Sequence, residues 1–161
     1  MFSSEIPLLV GWREWARIPD LNVPLIKVKI DTGAKTSALH AFDVEIVKGL
    51  NQKQFVEFTV HPLQMNDRIV RKCRAEIVDI RTIKSSNGLT EDRPVIRSYI
   101  QLGARVWSID ITLTNRDIMR HRMLLGREAM ENVLVDPSKA FYQGVISSKK
   151  AMLTYEPVIL T

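Results

Sequence analysis

Cys73 is the only cysteine in the 161 residues. No intrachain disulfide can brace the fold, which fits a reducing compartment. A compact domain of this length buries enough surface to do without one. Histidine is scarce too, with only three: His40, His61 and His121. No His-Glu-x-x-His occurs, and no two His or Cys stand at ligand spacing, so no metal site is expected. No Gly-x-x-x-x-Gly-Lys run exists, so nothing resembles a phosphate loop, and no cofactor is expected. No apolar run approaches the roughly 18 residues of a membrane span, which argues against a membrane partner. Met1 to Val10 carries Glu5 and no basic stretch, unlike a signal peptide, so a cytoplasmic location is expected. Internal repeats, low-complexity segments and linkers are absent as well. The expectation is a single domain over 1–161, with a core over about 10–137 and a C-terminal tail over about 138–161 that carries no readable signal.

The composition is that of an ordinary globular protein, 45% hydrophobic and 25% charged. The net charge of +5 favours acidic partners. Lys and Arg are spread along the chain rather than gathered in one run, so no direct nucleic-acid binding is expected. Period-two alternation dominates, the mark of strands. In Leu25 to Ile30, the apolar Ile26, Val28 and Ile30 alternate with Lys27 and Lys29. Phe55 to Val60, Ala75 to Ile83, Val95 to Leu102 and Val106 to Leu113 read as further strands, the last two joined at Leu102-Gly103-Ala104. One stretch of helix formers follows Gly126, from Arg127 to Asn132. The fold class expected is all-β with one short helix, its many short strands forming a barrel-like sheet.

Two short motifs carry chemistry. In Val28-Lys29-Ile30-Asp31-Thr32-Gly33-Ala34 a strand ends on a carboxylate followed by a hydroxyl residue and a glycine. The strand end holds Asp31 rigidly, Thr32 can lock the turn through its hydroxyl, and Gly33 permits a sharp bend and close approach of another chain. By itself Asp-Thr-Gly is also a common β-turn. The second motif, Met123-Leu124-Leu125-Gly126-Arg127, is an apolar strand ending in glycine, and Gly126 lies 95 residues after Asp31.

Asp31-Thr32-Gly33-Ala34 followed by Leu124-Leu125-Gly126-Arg127 resembles the pattern of the retropepsins, the aspartic proteases of retroviruses. Longer stretches resemble one bacterial and archaeal branch of that group more closely. These are Asp31 through Ala41, His61-Pro62-Leu63, Ser85-Ser86-Asn87-Gly88 with Arg93-Pro94, and Thr112 through Arg116. That RimB-like branch is often labelled "ATP-dependent zinc protease". Some of its members are linked with RimK, the ligase that adds glutamates to a small-subunit ribosomal protein. The resemblance implies a retropepsin-like acid-protease fold in which the Leu-Leu-Gly strand packs beneath the Asp-Thr-Gly turn. Asp31 becomes the catalytic residue, with Thr32 and Gly33 fixing it, and Leu125, Gly126 and Arg127 become its structural support.

Aspartic peptidases use two carboxylates that share one proton, because like charges that close cannot both ionise. Asp79, Asp110 and Asp136 all lack a following Thr/Ser-Gly, so the second Asp is expected from a second copy of the chain, making the partner a homodimer mate. The resemblance also implies a flap with its tip at Lys84 to Leu89, so that Ala34, Lys35, Ser86, Asn87, Gly88 and Arg93 are expected to bind substrate. Viral retropepsins have an acidic residue where this chain has Lys35, paired there with the Arg after the second Gly. That ion pair cannot form between Lys35 and Arg127. The cleft rim should be positive instead, which suits an acidic peptide or a glutamate-tailed ribosomal protein as substrate. Two alternatives stay open: a retropepsin-like binding module that does not cleave, and a zinc-dependent protease using His40, His61, His121 or Cys73.

Overall fold

A computed structural model describes residues 6–64, 66–84, 87–115 and 120–156. Among the described residues eleven strands run in chain order: β1 (Leu8–Val10), β2 (Arg13–Ile18), β3 (Val23–Ile30), β4 (Ser37–His40), β5 (Phe42–Lys48), β6 (Gln54–Val60), β7 (Arg71–Lys84), β8 (Thr90–Leu102), β9 (Arg105–Thr114), β10 (Met123–Leu125) and β11 (Val133–Val135). One α-helix follows, α1 (Ser148–Tyr155). The all-β class with one short helix holds.

Alternation decides which face each strand buries. On β3, Ile26, Val28 and Ile30 turn into the main core with Leu39, Ile111, Met123 and Leu125. Leu25, on the opposite face, joins a smaller cluster with Leu63, Ile69, Ala151 and Tyr155. Nine strands form one sheet in the order β2-β3-β10-β4-β9-β8-β7-β6-β5, and a further pairing of β2 with β8 at Arg17↔Gln101 closes six of them into a ring. The barrel-like expectation therefore corresponds to this ring, extended by the β7-β6-β5 wing. β1 and β11 pair separately in a parallel two-stranded sheet.

The helix lies elsewhere than the sequence suggested. Residues 127–132 form only a 3-10 turn over Arg127–Ala129. Its first N–H groups are taken by the carbonyls of Ala34 and Lys35 rather than by a helical turn, and Asn132 leaves it in the left-handed region with φ 57°. The true helix, α1, sits in the tail that carried no readable signal. It is capped by Ser147, whose hydroxyl accepts the Lys150 N–H at 3.1 Å. Ala151 and Tyr155, four apart on one face, bury it against β3. The Tyr155 hydroxyl also bonds the Leu25 backbone, and burial pushes its pKa up to about 12.

The tail is tied down before it reaches the helix. Glu14 on β2 is fully buried. Its carboxylate accepts three backbone N–H bonds, from Gly11 at 2.7 Å, Tyr142 at 2.8 Å and Gln143 at 2.9 Å. Trp12 N–H donates to the Lys139 carbonyl at 2.8 Å, and Gly11 leaves no room there for a side chain, since a Cβ would lie 2.2 Å from the Lys139 oxygen. Residues 138–144 are thereby fastened across the start of β2.

Candidate active site

Asp31 stands at the end of β3, where the chain turns through Thr32 and Gly33 to Ala34. Its own side chain shapes that turn: Oδ1 accepts the Gly33 N–H at 3.0 Å, and the Asp31 carbonyl accepts the Ala34 N–H at 3.2 Å. Asp31 N–H donates to the Leu125 carbonyl at 2.9 Å. The Thr32 carbonyl accepts from Arg127 Nη1 at 3.0 Å. The sequence reading gave the lock of this turn to the Thr32 hydroxyl; the described bonds that hold it come from Asp31 and Arg127.

β10 explains why the Leu-Leu-Gly segment matters. It inserts between β3, to which it runs parallel (Leu125↔Ile30), and β4, to which it runs antiparallel (Leu124↔Ala38). Gly126 then passes so close to the loop after Asp31 that a Cβ there would lie 2.5 Å from the Thr36 carbonyl carbon and 2.9 Å from the Lys35 oxygen. The next two residues stitch the contact, Arg127 N–H to the Ala34 carbonyl at 2.8 Å and Glu128 N–H to that of Lys35 at 3.1 Å.

Ser37 was not singled out from the sequence, although it lies inside the long motif. It is buried and joins three elements. Its hydroxyl accepts the Gly126 N–H at 3.0 Å, and its carbonyl accepts the Thr112 hydroxyl at 2.8 Å. Nothing local in Lys35-Thr36-Ser37 signals this role, because both partners are distant in sequence.

Lys35 is exposed and lies 3.8 Å from Glu128, while Arg127 turns to the Thr32 carbonyl. The viral-type pair is absent, as expected, but Lys35 is not a lone cation on the rim. Glu128 also meets Arg81 of β7 at 3.4 Å, and Arg81 reaches Asp79 and Asp110 as well. This network ties the hairpin of β7 and β8 to the turn beneath Asp31. Of the expected flap tip, Ser86 lies outside the described residues. Asn87 is exposed and its side chain accepts the Leu89 N–H at 3.4 Å, while Gly88 has φ +85° with open space around it. Arg93 lies on β8, the outgoing arm of the hairpin; it is 7% exposed, with Nε on Glu91 Oε2 at 3.1 Å.

Among the described residues no second carboxylate hydrogen-bonds to Asp31 and no group of three or more His, Cys, Asp or Glu gathers as a metal site. The candidate donors are otherwise engaged: Phe42 stands edge-on between His40 and His61, at 4.4 Å and 4.8 Å. His121 packs on Trp12, and Cys73 is buried. These described residues do not gather into a zinc centre.

The family model described as retropepsin-like aspartic endopeptidase RimB matches residues 9–145. The chain belongs to this RimB-like family. A Shewanella pealeana protein named probable alpha-L-glutamate ligase is 48% identical over 142 residues, covering 88% of this chain and 31% of that protein. A protein of the same name from Desulfotalea psychrophila is 40% identical over 148 residues, 91% of this chain and 32% of its own. The RimB-like chain thus spans about a third of the length of the curated relatives it matches. A solved Legionella pneumophila protein of unknown function superposes with a TM-score of 0.70 at 30% identity, covering 84% of this chain and 98% of that one. No helix among the described residues is long and apolar enough to cross a membrane.

Proposed function

We propose that this chain is one half of an aspartic peptidase that removes glutamates from acidic peptide tails, with Asp31 from two copies meeting across a twofold axis. The observation that carries the reading is the Asp31 turn. A carboxylate is held by its own Gly33 N–H and by a strand threaded beneath it, yet has no carboxylate mate within the described chain. In the dyad one carboxylate is ionised and takes a proton from water, whose oxygen adds to the scissile carbonyl carbon. The other is neutral and donates to the carbonyl oxygen. Collapse of the tetrahedral carbon then breaks the C–N bond as the nitrogen takes a proton from the dyad, whose titration belongs to the pair.

The substrate class draws on the relatives, because the rim beside Asp31 is balanced in charge: Lys35, Arg81 and Arg127 stand with Glu128, Asp79 and Asp110. The matched relatives are named glutamate ligases, and a tail built by such a ligase is the natural target of a domain that shortens it. A glutamate-tailed ribosomal protein is the proposed partner. The test is to incubate the purified chain with a glutamate-tailed peptide, with and without chelator, and follow product masses. Stepwise loss of glutamates indifferent to chelator supports the reading. A requirement for added zinc would turn it towards a metalloprotease.

One observation favours a second reading. In the curated relatives this region is about a third of a ligase-named protein, where it would serve as a module that holds the glutamate tail without cutting it. Asp31→Asn separates the two: it abolishes hydrolysis in the peptidase and leaves tail binding intact in the module.

A further inference from the structure

The outer face of β2 and β3 concentrates basic and aromatic side chains away from the Asp31 turn. Cross-strand register sets Arg13 against Lys29 and Trp15 against Lys27. Residues 120–122 bring Arg120, His121 and Arg122 to the start of β10, which pairs with Lys29 through Leu124. The Arg13 guanidinium lies over Trp12 at 4.5 Å and Phe141 at 4.9 Å, and Lys27 Nζ lies over Trp15 at 5.2 Å.

Among the described residues the face has few acceptors, one being Gln64 Oε1, 3.5 Å from Lys27 Nζ. Arg13 Nε, Trp15 Nε1, His121 Nε2 and Arg122 Nε are shielded from solvent by their neighbours and have no hydrogen-bond partner among the described residues. Native proteins seldom leave such groups unmatched. Among the described residues an acid that meets the patch is Asp67, 3.8 Å from Arg122 and itself exposed. The His121 pKa is held down by burial and then by the cations Lys27, Arg13, Lys29 and Arg120.

From these positions we infer that the β2–β3 face is a second binding site, an exosite that takes an extended acidic peptide along Lys27, Arg13 and Lys29. Lys29 stands two residues before Asp31 on the same strand, so this site runs up to the catalytic turn. Lys27 and Asp31 are four strand residues apart, about 13 Å, which about four extended peptide residues span. Carboxylates on alternate residues of such a peptide repeat at about the spacing of Lys27 and Lys29. The geometry selects a peptide over single-stranded nucleic acid. Binding of bases needs open aromatic faces, and here Arg13 and Lys27 already cover Trp12, Trp15 and Phe141. The inference rests on the proposed peptidase reading only for the direction in which the tail leads to Asp31.

The probe is a fluorescein-labelled peptide of ten glutamates, read by anisotropy against the full chain carrying Asp31→Asn so that nothing is consumed. Lys29 and Arg120 are both exposed, so the double variant K29E/R120E should fold, and its melting temperature checks this. The expected result is at least a ten-fold loss of affinity in K29E/R120E and retention in K29R/R120K. Unchanged affinity in K29E/R120E overturns the exosite, and so does a uridine decamer that binds wild type more tightly than the peptide does. A parallel assay on the unmutated Asp31 background uses a peptide with a two-glutamate tail, too short to reach Lys27. Cleavage there unaffected by K29E/R120E supports the separation of the two sites. Absence of cleavage alongside charge-dependent decamer binding sinks the peptidase reading and leaves the exosite standing.

Discussion

Replacing Glu14 by Gln tests how the C-terminal segment is held. In the native chain Oε2 accepts from Gly11 and Tyr142 and Oε1 accepts from Gln143. A carboxamide has one acceptor oxygen. In its better orientation the oxygen takes the place of Oε2 and keeps two bonds, while its NH2 group faces the Gln143 N–H, donor against donor. One charge-assisted bond is lost and the remaining two weaken to neutral strength. At ~1.5–3 kcal/mol for a bond to a charged group and ~1 kcal/mol for a neutral one, the cost is about 2.5–7 kcal/mol. For a chain of this length each kcal/mol shifts the midpoint by about 2–4 °C, so thermal unfolding should fall by at least about 5 °C and by as much as about 28 °C. Differential scanning calorimetry reads the shift, and limited proteolysis locates it, because the first new cuts should fall within 138–147. An unchanged midpoint, or new cuts appearing first in the β7–β8 hairpin, would refute the role given to Glu14.

Other expectations follow from the same geometry. Gly126→Ala pushes a methyl onto the Thr36 and Lys35 backbone; an overpacking cost of about 1–3 kcal/mol should appear in denaturant titration, with a larger proportional loss of activity because Asp31 shares the displaced strand. Cys73 is buried and its thiol is raised to about 11, so a thiol reagent at pH 7.5 should label it only after denaturation, and rapid native labelling would count against the burial. His121 has its pKa lowered from 6.5 by burial and by the surrounding cations. The unfolded chain then binds more protons between the lowered value and about 6.5, so stability should decline as pH falls through that window. His121→Gln should flatten that part of the curve.

The long strands β3, β6, β7, β8 and β9 were legible because one buried face imposes period two, most plainly in Ile26, Val28 and Ile30 of β3 against Lys27 and Lys29, whereas β1, β2 and β4 were not singled out. The Asp31 turn and the Leu124-Leu125-Gly126 strand were legible because each needs particular residues in a fixed order. The 127–132 stretch misled, since Glu128, Ala129 and Met130 favour helix while the Ala34 and Lys35 carbonyls claim the N–H groups of Arg127 and Glu128. Helix α1 escaped notice because its buried stripe is short, little more than Ala151 and Tyr155. Glu14 went unnoticed because two of its partners come 128 and 129 residues later. The basic face likewise exists only after β2, β3 and residues 120–122 meet, so a chain with dispersed Lys and Arg still gathers them in space.

The threading of β10 between β3 and β4 also sets an order in time. A polypeptide leaving the ribosome carries Asp31 long before residues 123–127 emerge, and until then the gap between β3 and β4 is unfilled. The bond from Asp31 to Leu125 closes a loop of 94 residues, an entropic cost met late in folding. A nascent or truncated chain ending before Met123 would therefore hold the Asp31-Thr32-Gly33 motif in its sequence without the strand that fixes its turn, so the carboxylate is set in place only once synthesis has passed Gly126.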